Sequence, residues 1–138
     1  MKKKLALLFF LLFLTGCSNE KLICIASDID EFGNKNEIKY TFNYKKDELK
    51  TVKKNLHIKV KDEKETGLIF SMYNQTLGVY KDESTKIDGY YKKNTINIEI
   101  DIEVDKIEKS NALTNIAINK YNFDQMNTYM KSNNYECK

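Results

Sequence analysis

The middle of the chain alternates between apolar and polar residues, which is typical of β-strands that bury one face. The clearest case is residues 96–105, where every second residue is Ile or Val and the residues between them are Asn, Glu or Asp. Four other segments show either alternation or a short β-branched apolar run next to turn residues. The pattern predicts strands at residues 22–29, 37–45, 51–61, 87–92 and 96–105.

A charged residue interrupts the apolar face of the third predicted strand. Val52, Leu56, Ile58 and Val60 share that face, and Lys54 stands between the first two. Because an unpaired ammonium group is costly to bury, we expect Lys54 to lie near the exposed edge of this strand.

Two later segments change to the three- and four-residue spacing of an amphipathic helix. The first helix is predicted at residues 64–80, with its cap at Asp62, and the second begins after a candidate cap at Asn122. The predicted buried stripes are Leu68, Ile69, Met72, Tyr73, Leu77 and Tyr80 in the first helix, and Phe123, Met126 and Met130 in the second. Cys137 falls on the same face if the second helix continues that far.

The order of these elements defines the expected fold class. Three strands, a helix, two strands and a helix favour an α+β fold, in which an antiparallel sheet of about five strands carries two helices packed on one face. Residues 106–121 fit the pattern less well; a turn of helix around residues 107–113 and an extended piece at residues 116–118 are expected. We expect a single domain.

The amino terminus has the pattern of a lipoprotein signal. Lys2, Lys3 and Lys4 precede an apolar run from Leu5 to Leu14, and the run ends in Leu-Thr-Gly-Cys, which resembles the lipobox of bacterial lipoproteins. The resemblance implies cleavage before Cys17 and acylation of Cys17, with palmitate expected. An ordinary signal peptide or a short buried helix, with Cys17 incidental, is the alternative. The predicted organisation is a signal peptide at residues 1–16, a lipidated tether at residues 17–21 and one extracytoplasmic domain at residues 22–138.

Removal of the signal changes the charge balance of the 138-residue chain. The full sequence carries a net charge of +3, but three of its 23 basic residues lie in the signal, which leaves 20 against 20 acidic residues. Every basic residue is Lys, so the Arg fork that reads guanine or phosphate is missing. We therefore expect a nearly neutral domain that binds a lipid bilayer through acylated Cys17 and binds no nucleic acid.

Two cysteines remain once Cys17 carries lipid. Cys24 and Cys137 lie at opposite ends of the mature chain. An exported protein lies where disulfides form, so an even remainder of two predicts one bridge. Two free thiols or a catalytic Cys are the alternatives, although neither cysteine has the C-x-x-C spacing of a redox motif.

The sequence contains few candidates for chemistry. Glu99, Asp101, Glu103 and Asp105 form an acidic row that we interpret as a solvated sheet face, and His57 as a surface imidazole. Glycine-rich phosphate loops, G-x-S-x-G and H-E-x-x-H are all missing from the sequence. We therefore predict neither an enzyme nor a cofactor or metal site. The candidate binding face consists of Tyr40, Tyr44, Tyr90 and Tyr91.

The lipobox, the early Cys24, the strand-rich middle and the terminal Asn-Tyr-Glu-Cys-Lys together resemble a known class of proteins. The chain is similar to small uncharacterised lipoproteins of low-G+C bacteria and, more loosely, to the YehR-type family of domain-of-unknown-function lipoproteins. The resemblance implies a membrane-anchored extracytoplasmic α+β domain and transfers no catalytic residue.

Three functions are compatible with these features. The first is a non-catalytic binding or accessory domain for a protein or envelope component, which predicts an exposed apolar or tyrosine-rich patch. The second is an inhibitor or immunity-type lipoprotein that blocks an extracellular enzyme through a rigid loop at residues 30–36 or 82–88. The third, with the least support, is a small hydrolase that uses carboxylates.

Overall fold

A computed structural model describes residues 18–108 and 112–138. They form one antiparallel sheet of six strands in the order β4-β5-β3-β2-β1-β6. The strands are β1 (Asn19–Ile29), β2 (Lys35–Lys45), β3 (Glu48–Lys59), β4 (Thr85–Lys92), β5 (Thr95–Glu103) and β6 (Glu136–Cys137). The helices are α1 (Thr66–Gly78), α2 (Asn115–Ile118) and α3 (Phe123–Ser132), with 3-10 turns at Glu63–Glu65 and Val104–Lys106.

The predicted α+β fold with an antiparallel sheet is confirmed, and the sheet has one strand more than expected. The additional strand, β6, contains two residues and pairs with β1, so that Cys137 lies opposite Cys24. A segment this short carries no periodicity, so its sequence could not reveal it. Helix α3 ends at Ser132 and the backbone turns at Asn134, whose φ is +65°. Cys137 therefore lies on a strand and not on an extended helix.

The core lies between the helices and one face of the sheet, which we call the inner face. This face carries Ile96, Ile98, Ile100 and Ile102 of β5, each at most 3% exposed. Burial of one such side chain stabilises the fold by about 1.5–3 kcal/mol. The alternation predicted for β5 is therefore confirmed, and the other face, which we call the outer face, carries its polar residues.

Helix α3 covers the inner face with the methionines that the sequence placed on one side of it. Met126 and Met130 are buried. The predicted cap at Asn122 is confirmed as a capping box, because the Asn122 side chain accepts from the Gln125 N–H at 2.9 Å and Gln125 Oε1 accepts from the Asn122 N–H at 3.1 Å. These bonds satisfy two amide donors at the start of the helix.

Helix α1 buries only part of its predicted stripe. The preceding 3-10 turn is capped by Asp62, whose side chain accepts from the Lys64 N–H at 3.0 Å. The side chains that pack against the core are Ile69, Phe70, Tyr73 and Leu77. Leu68 and Met72, which we expected to be buried, are more than half exposed. The helix is apolar on more than one side, so spacing alone could not identify the side that contacts the sheet.

Several boundaries differ from the sequence predictions. Residues 19–21, expected to form a tether, belong to β1 because their backbone pairs with residues 43–45 of β2. Residues 116–118, expected to be extended, lie in α2. Strand β5 ends at Glu103, so Val104 and Asp105, expected in the strand, lie in a 3-10 turn. The predictions of a signal peptide at residues 1–16 and of acylation at Cys17 fall outside the described residues.

Candidate functional site

The acidic row of β5 lies on the outer face, where β3 supplies its partners. Lys53 Nζ is 2.9 Å from Glu99 Oε1 and 3.3 Å from Asp101 Oδ1, and Asn55 Nδ2 donates to Glu99 Oε2 at 3.0 Å. The hydrogen bond from Lys53 is the main cause that lowers the pKa of Glu99. These side chains are about 40% exposed, so the pairs contribute little to stability. The arrangement is that of a solvated, charge-neutralised sheet face.

His57 also lies on the outer face and is exposed. Its Nδ1 is 2.8 Å from Asn97 Oδ1, an uncharged partner. Within residues 18–108 and 112–138, the structure contains no group of three His, Cys, Asp or Glu side chains that could hold a metal ion. In its present contacts, His57 is a surface side chain on the polar row.

A disulfide joins Cys24 and Cys137 across the edge of the sheet. Cys24 is fully buried on the inner face. The backbone next to the bridge is paired as well, because Ile23 and Lys138 exchange N–H···O bonds of 3.0 and 2.9 Å. The bridge predicted from cysteine arithmetic is therefore present, and it ties the last strand to the first across 113 residues.

The four tyrosines proposed as a binding face do not form one surface. Tyr40 and Tyr44 lie on the inner face, where the ring of Tyr40 stacks on Phe42 at 5.6 Å and Tyr44 is buried. Tyr90 lies on the outer face, level with His57 and Asn97. Tyr91 returns to the inner side at the edge of the sheet and contacts Phe70, with ring centroids 5.1 Å apart.

Lys54 is the functional candidate that the sequence analysis placed wrongly. It lies in the middle of β3, between Tyr40 of β2 and Ile100 of β5, and its side chain is on the inner face. Its Nζ is 5.3 Å from the centre of the Tyr40 ring. In the described part of the chain, no carboxylate lies within ion-pair distance of Lys54. Burial lowers the pKa of Lys54.

A cavity of about 190 Å³ opens beside Lys54, between the sheet and the helices. We call it the Lys54 cavity. Ile100 and Ile102 form its buried floor, whereas Asn115, Asn119 and Tyr129 are exposed at its rim. Tyr40 completes the wall, and burial, with a smaller contribution from Tyr129, raises the pKa of Tyr40 to about 12. One cation, several apolar walls and a phenol that stays neutral can hold a small anion.

One feature of the sequence indicated the Lys54 cavity. Lys54 interrupts an apolar row, and we explained this by an edge position that the sheet order excludes, because β3 lies between β2 and β5. Two of the rim residues, Asn115 and Asn119, come from a segment that the periodicity did not resolve. The cavity itself depends on tertiary packing.

A second candidate surface lies at the end of the sheet where β1 and β4 finish, which we call the distal end. Five large apolar side chains near this end are each at least half exposed, at the β1 side of the sheet, on α1 and on both faces of β4. They are Ile29, Phe32, Leu68, Tyr90 and Tyr91.

Phe32 is held out by a tightly bonded turn. Asp30 Oδ1 accepts from the N–H groups of Phe32 and Asn34 at 3.0 and 2.9 Å, and Gly33 supplies a φ of +83°. The Asn34 side chain is buried, and its Oδ1 accepts from the Lys61 N–H at 2.9 Å. The turn is thereby fixed to the sheet while Phe32 stays 72% exposed.

Comparisons with known proteins give the fold and no function. No family model matches the chain, and no curated protein matches it. The fold is similar to that of the E. coli YehR protein, solved by NMR as a structural genomics target. The two are 16% identical, the match covers 89% of this chain and 93% of that chain, and the TM-score is 0.66. The YehR-like fold expected from the sequence is therefore confirmed.

No helix within the described residues is long and apolar enough to cross a membrane.

Proposed function

We propose that this protein is an extracytoplasmic, lipid-anchored binding domain without catalytic activity. Acyl chains on Cys17 hold the domain at a membrane, and the distal end binds a protein or another component of the cell envelope. The lipobox in the sequence supports the anchor. The disulfide between Cys24 and Cys137 supports an oxidising compartment outside the cytoplasm.

The observation that carries the proposal is that β1 extends from the residues next to Cys17 to the distal end of the sheet. This strand begins at Asn19, two residues after Cys17, and the Lys46 N–H donates to the Ser18 carbonyl at 3.3 Å. Its 11 residues span about 33 Å at 3.3 Å per residue. The anchor and the distal end are therefore at opposite ends of one rigid strand, so a membrane at Cys17 leaves the distal end free.

The chemistry of the distal end fits a protein partner. Aromatic side chains are enriched in protein interfaces, and here three of them are exposed on a hydrogen-bonded turn and a paired strand. Phe32 comes from the turn after β1, Tyr90 and Tyr91 from β4, and Leu68 from α1. Little ordering is required before such a surface binds, so more of the contact energy remains for affinity.

Metabolic labelling tests the anchor. Cells that express the protein are fed an alkyne-bearing palmitate analogue, and the purified protein is examined for label. We expect label on the wild type and none on Cys17→Ser. Unchanged labelling of Cys17→Ser would contradict acylation at this residue.

Site-specific photocrosslinking tests the distal end. A photoreactive phenylalanine analogue replaces Phe32 in one variant and Lys45, an exposed residue beside the anchor, in the control. We expect a discrete crosslinked product in intact cells from position 32 and none of the same mass from position 45. Equal products from both positions, or none from position 32, would count against a distal binding surface.

The second candidate, an inhibitor or immunity-type lipoprotein, is favoured by one observation. The turn at residues 30–34 is closed by hydrogen bonds to Asp30 and projects Phe32, a loop geometry suited to block an enzyme cleft. If the protein inhibits an extracellular enzyme, we expect that enzyme to be the partner crosslinked at position 32. We expect Phe32→Ala to weaken the inhibition. Full activity of the isolated partner in the presence of the protein would leave only the accessory role.

The carboxylate-dependent hydrolase has the least support. A general acid needs a raised pKa, whereas hydrogen bonding lowers the pKa of Glu99 and that of Glu103. Both carboxylates are engaged by lysines, Lys53 and Lys106, on an open face of the sheet.

A further inference from the structure

We propose that the Lys54 cavity is a binding site for a small monocarboxylate with a short apolar body. The carboxylate pairs with Lys54 Nζ, and the apolar body lies against Ile100, Ile102 and Ile116. This site is separate from the distal end and does not depend on the lipid anchor.

The charge of the cavity points to an anion. Lys54 is on the covered face of a central strand, and in the described residues only the face of the Tyr40 ring compensates its charge, at 5.3 Å. A cation–π contact of this kind replaces part of the lost hydration. A carboxylate would replace the remainder with a charge-assisted hydrogen bond.

The number of cations limits the charge of the ligand. Phosphate and other dianions are held by several charged donors or by a fork of Arg nitrogens, and the described residues that line the Lys54 cavity include a single ammonium. A metal ion would be repelled by the same ammonium. One cation beside a floor of isoleucines matches one carboxylate with an apolar body.

The volume limits the size of the ligand. An apolar cavity of about 150 Å³ holds one benzene molecule. The 190 Å³ beside Lys54 therefore accommodates a ring or a chain of about six carbons together with a carboxylate. The exposed rim at Asn115, Asn119 and Tyr129 gives the ligand a way in without unfolding of the sheet.

Calorimetric titration tests the site. The full chain in phosphatidylcholine nanodiscs is titrated with hexanoate and benzoate at pH 7, with empty nanodiscs as the blank and hexanamide as the neutral analogue. The matched variants are Lys54→Met and Lys59→Met, a lysine on the exposed side of the same strand. We expect wild type and Lys59→Met to bind the acids equally, and Lys54→Met and the amide each to reduce affinity by about tenfold or more.

Equal binding by Lys54→Met, or equal binding of hexanamide, would overturn the proposal. So would the lack of any heat change with either acid. A second measurement on the wild type removes dependence on the variant's folding: the Cε carbon shift of Lys54, followed by NMR across pH, should report a higher pKa when hexanoate is present. An unchanged Lys54 titration at saturating hexanoate would also overturn it.

Discussion

Lys53 and Lys54 are neighbours in sequence and opposites in environment. Lys53 lies on the outer face, where its hydrogen bond to Glu99 and its hydrogen bond and ion pair with Asp101 raise its pKa. Lys54 lies on the inner face beside a cavity, where burial lowers its pKa. Because a strand turns alternate side chains to opposite faces, one step along β3 changes a solvated ion pair into a partly buried cation without an ion-pair partner among the described residues. The two faces thus differ in what they can bind.

The inner face and its edge should carry most of the stability, and loss of the disulfide should show the largest effect. Double substitution of Cys24 and Cys137 by Ala removes a link across 113 residues. The chain-entropy model predicts a loss of about 4–5 kcal/mol, measured by urea unfolding. Wild type under reductant is the matched control, and unfolding at the same urea concentration as the oxidised protein would contradict the prediction.

Two consecutive residues of β5 provide the next comparison of the faces. Ile100→Ala leaves a cavity among buried neighbours and should lower the unfolding free energy by about 2–5 kcal/mol. Asp101→Ala removes one exposed ion pair with Lys53 and should cost less than about 1 kcal/mol. Both values come from chemical denaturation at pH 7. Similar losses for the two variants would mean that the outer face is covered in the native protein.

The smallest change in unfolding free energy is expected for substitutions of Lys54 and Lys53, and its sign should differ between the two. Lys54→Met replaces a partly buried charge by an apolar chain of similar length and should stabilise the fold by about 1 kcal/mol at pH 7. Lys53→Met should destabilise it by less than about 1 kcal/mol. Loss of stability in Lys54→Met would show that its contact with the Tyr40 ring more than offsets the burial of the charge.

The pH dependence of these variants should have opposite signs. The folded pKa of Lys54 is below its unfolded value, so the wild type gains stability relative to Lys54→Met as the pH rises towards 10.5. The folded pKa of Lys53 is above its unfolded value, so the wild type loses its advantage over Lys53→Met as the pH rises through and beyond 10.5. Tyr40, with a pKa of about 12, stays largely neutral over most of this window. Unfolding between pH 9 and 11 measures both trends.

Much of the sheet could be predicted because its faces differ in polarity. The alternation in residues 96–102 placed β5 and its buried face correctly, and the same holds for Phe42 of β2 and Val52 of β3. The Asn122 cap was predictable because its partner, Gln125, is local in sequence. Alternation of apolar and polar residues, and hydrogen bonds between residues three positions apart, can be predicted from the local sequence alone.

The features that the sequence predictions missed depend on contacts between residues that are distant in sequence. β6 is formed by two residues that pair only because the chain returns to β1, and the disulfide fixes that return. Leu68 and Met72 are exposed because α1 contacts the sheet along one side, which its evenly apolar sequence did not specify. The candidate site was missed for the same reason, since Lys54 acquires its environment from Tyr40, Ile100 and the α2 segment.

The sequence by itself determined the fold class, the alternating faces of the strands, the pairing of the two remaining cysteines and the lipobox that predicts an anchor. Each of these follows from residue identity at short spacing or from a count. Tertiary structure alone decided which lysine lies on the covered face of the sheet, which tyrosines contact each other and which apolar residues stay exposed at the distal end. The physical reason is that burial belongs to neighbours brought together by the sheet order β4-β5-β3-β2-β1-β6, and local periodicity does not specify that order.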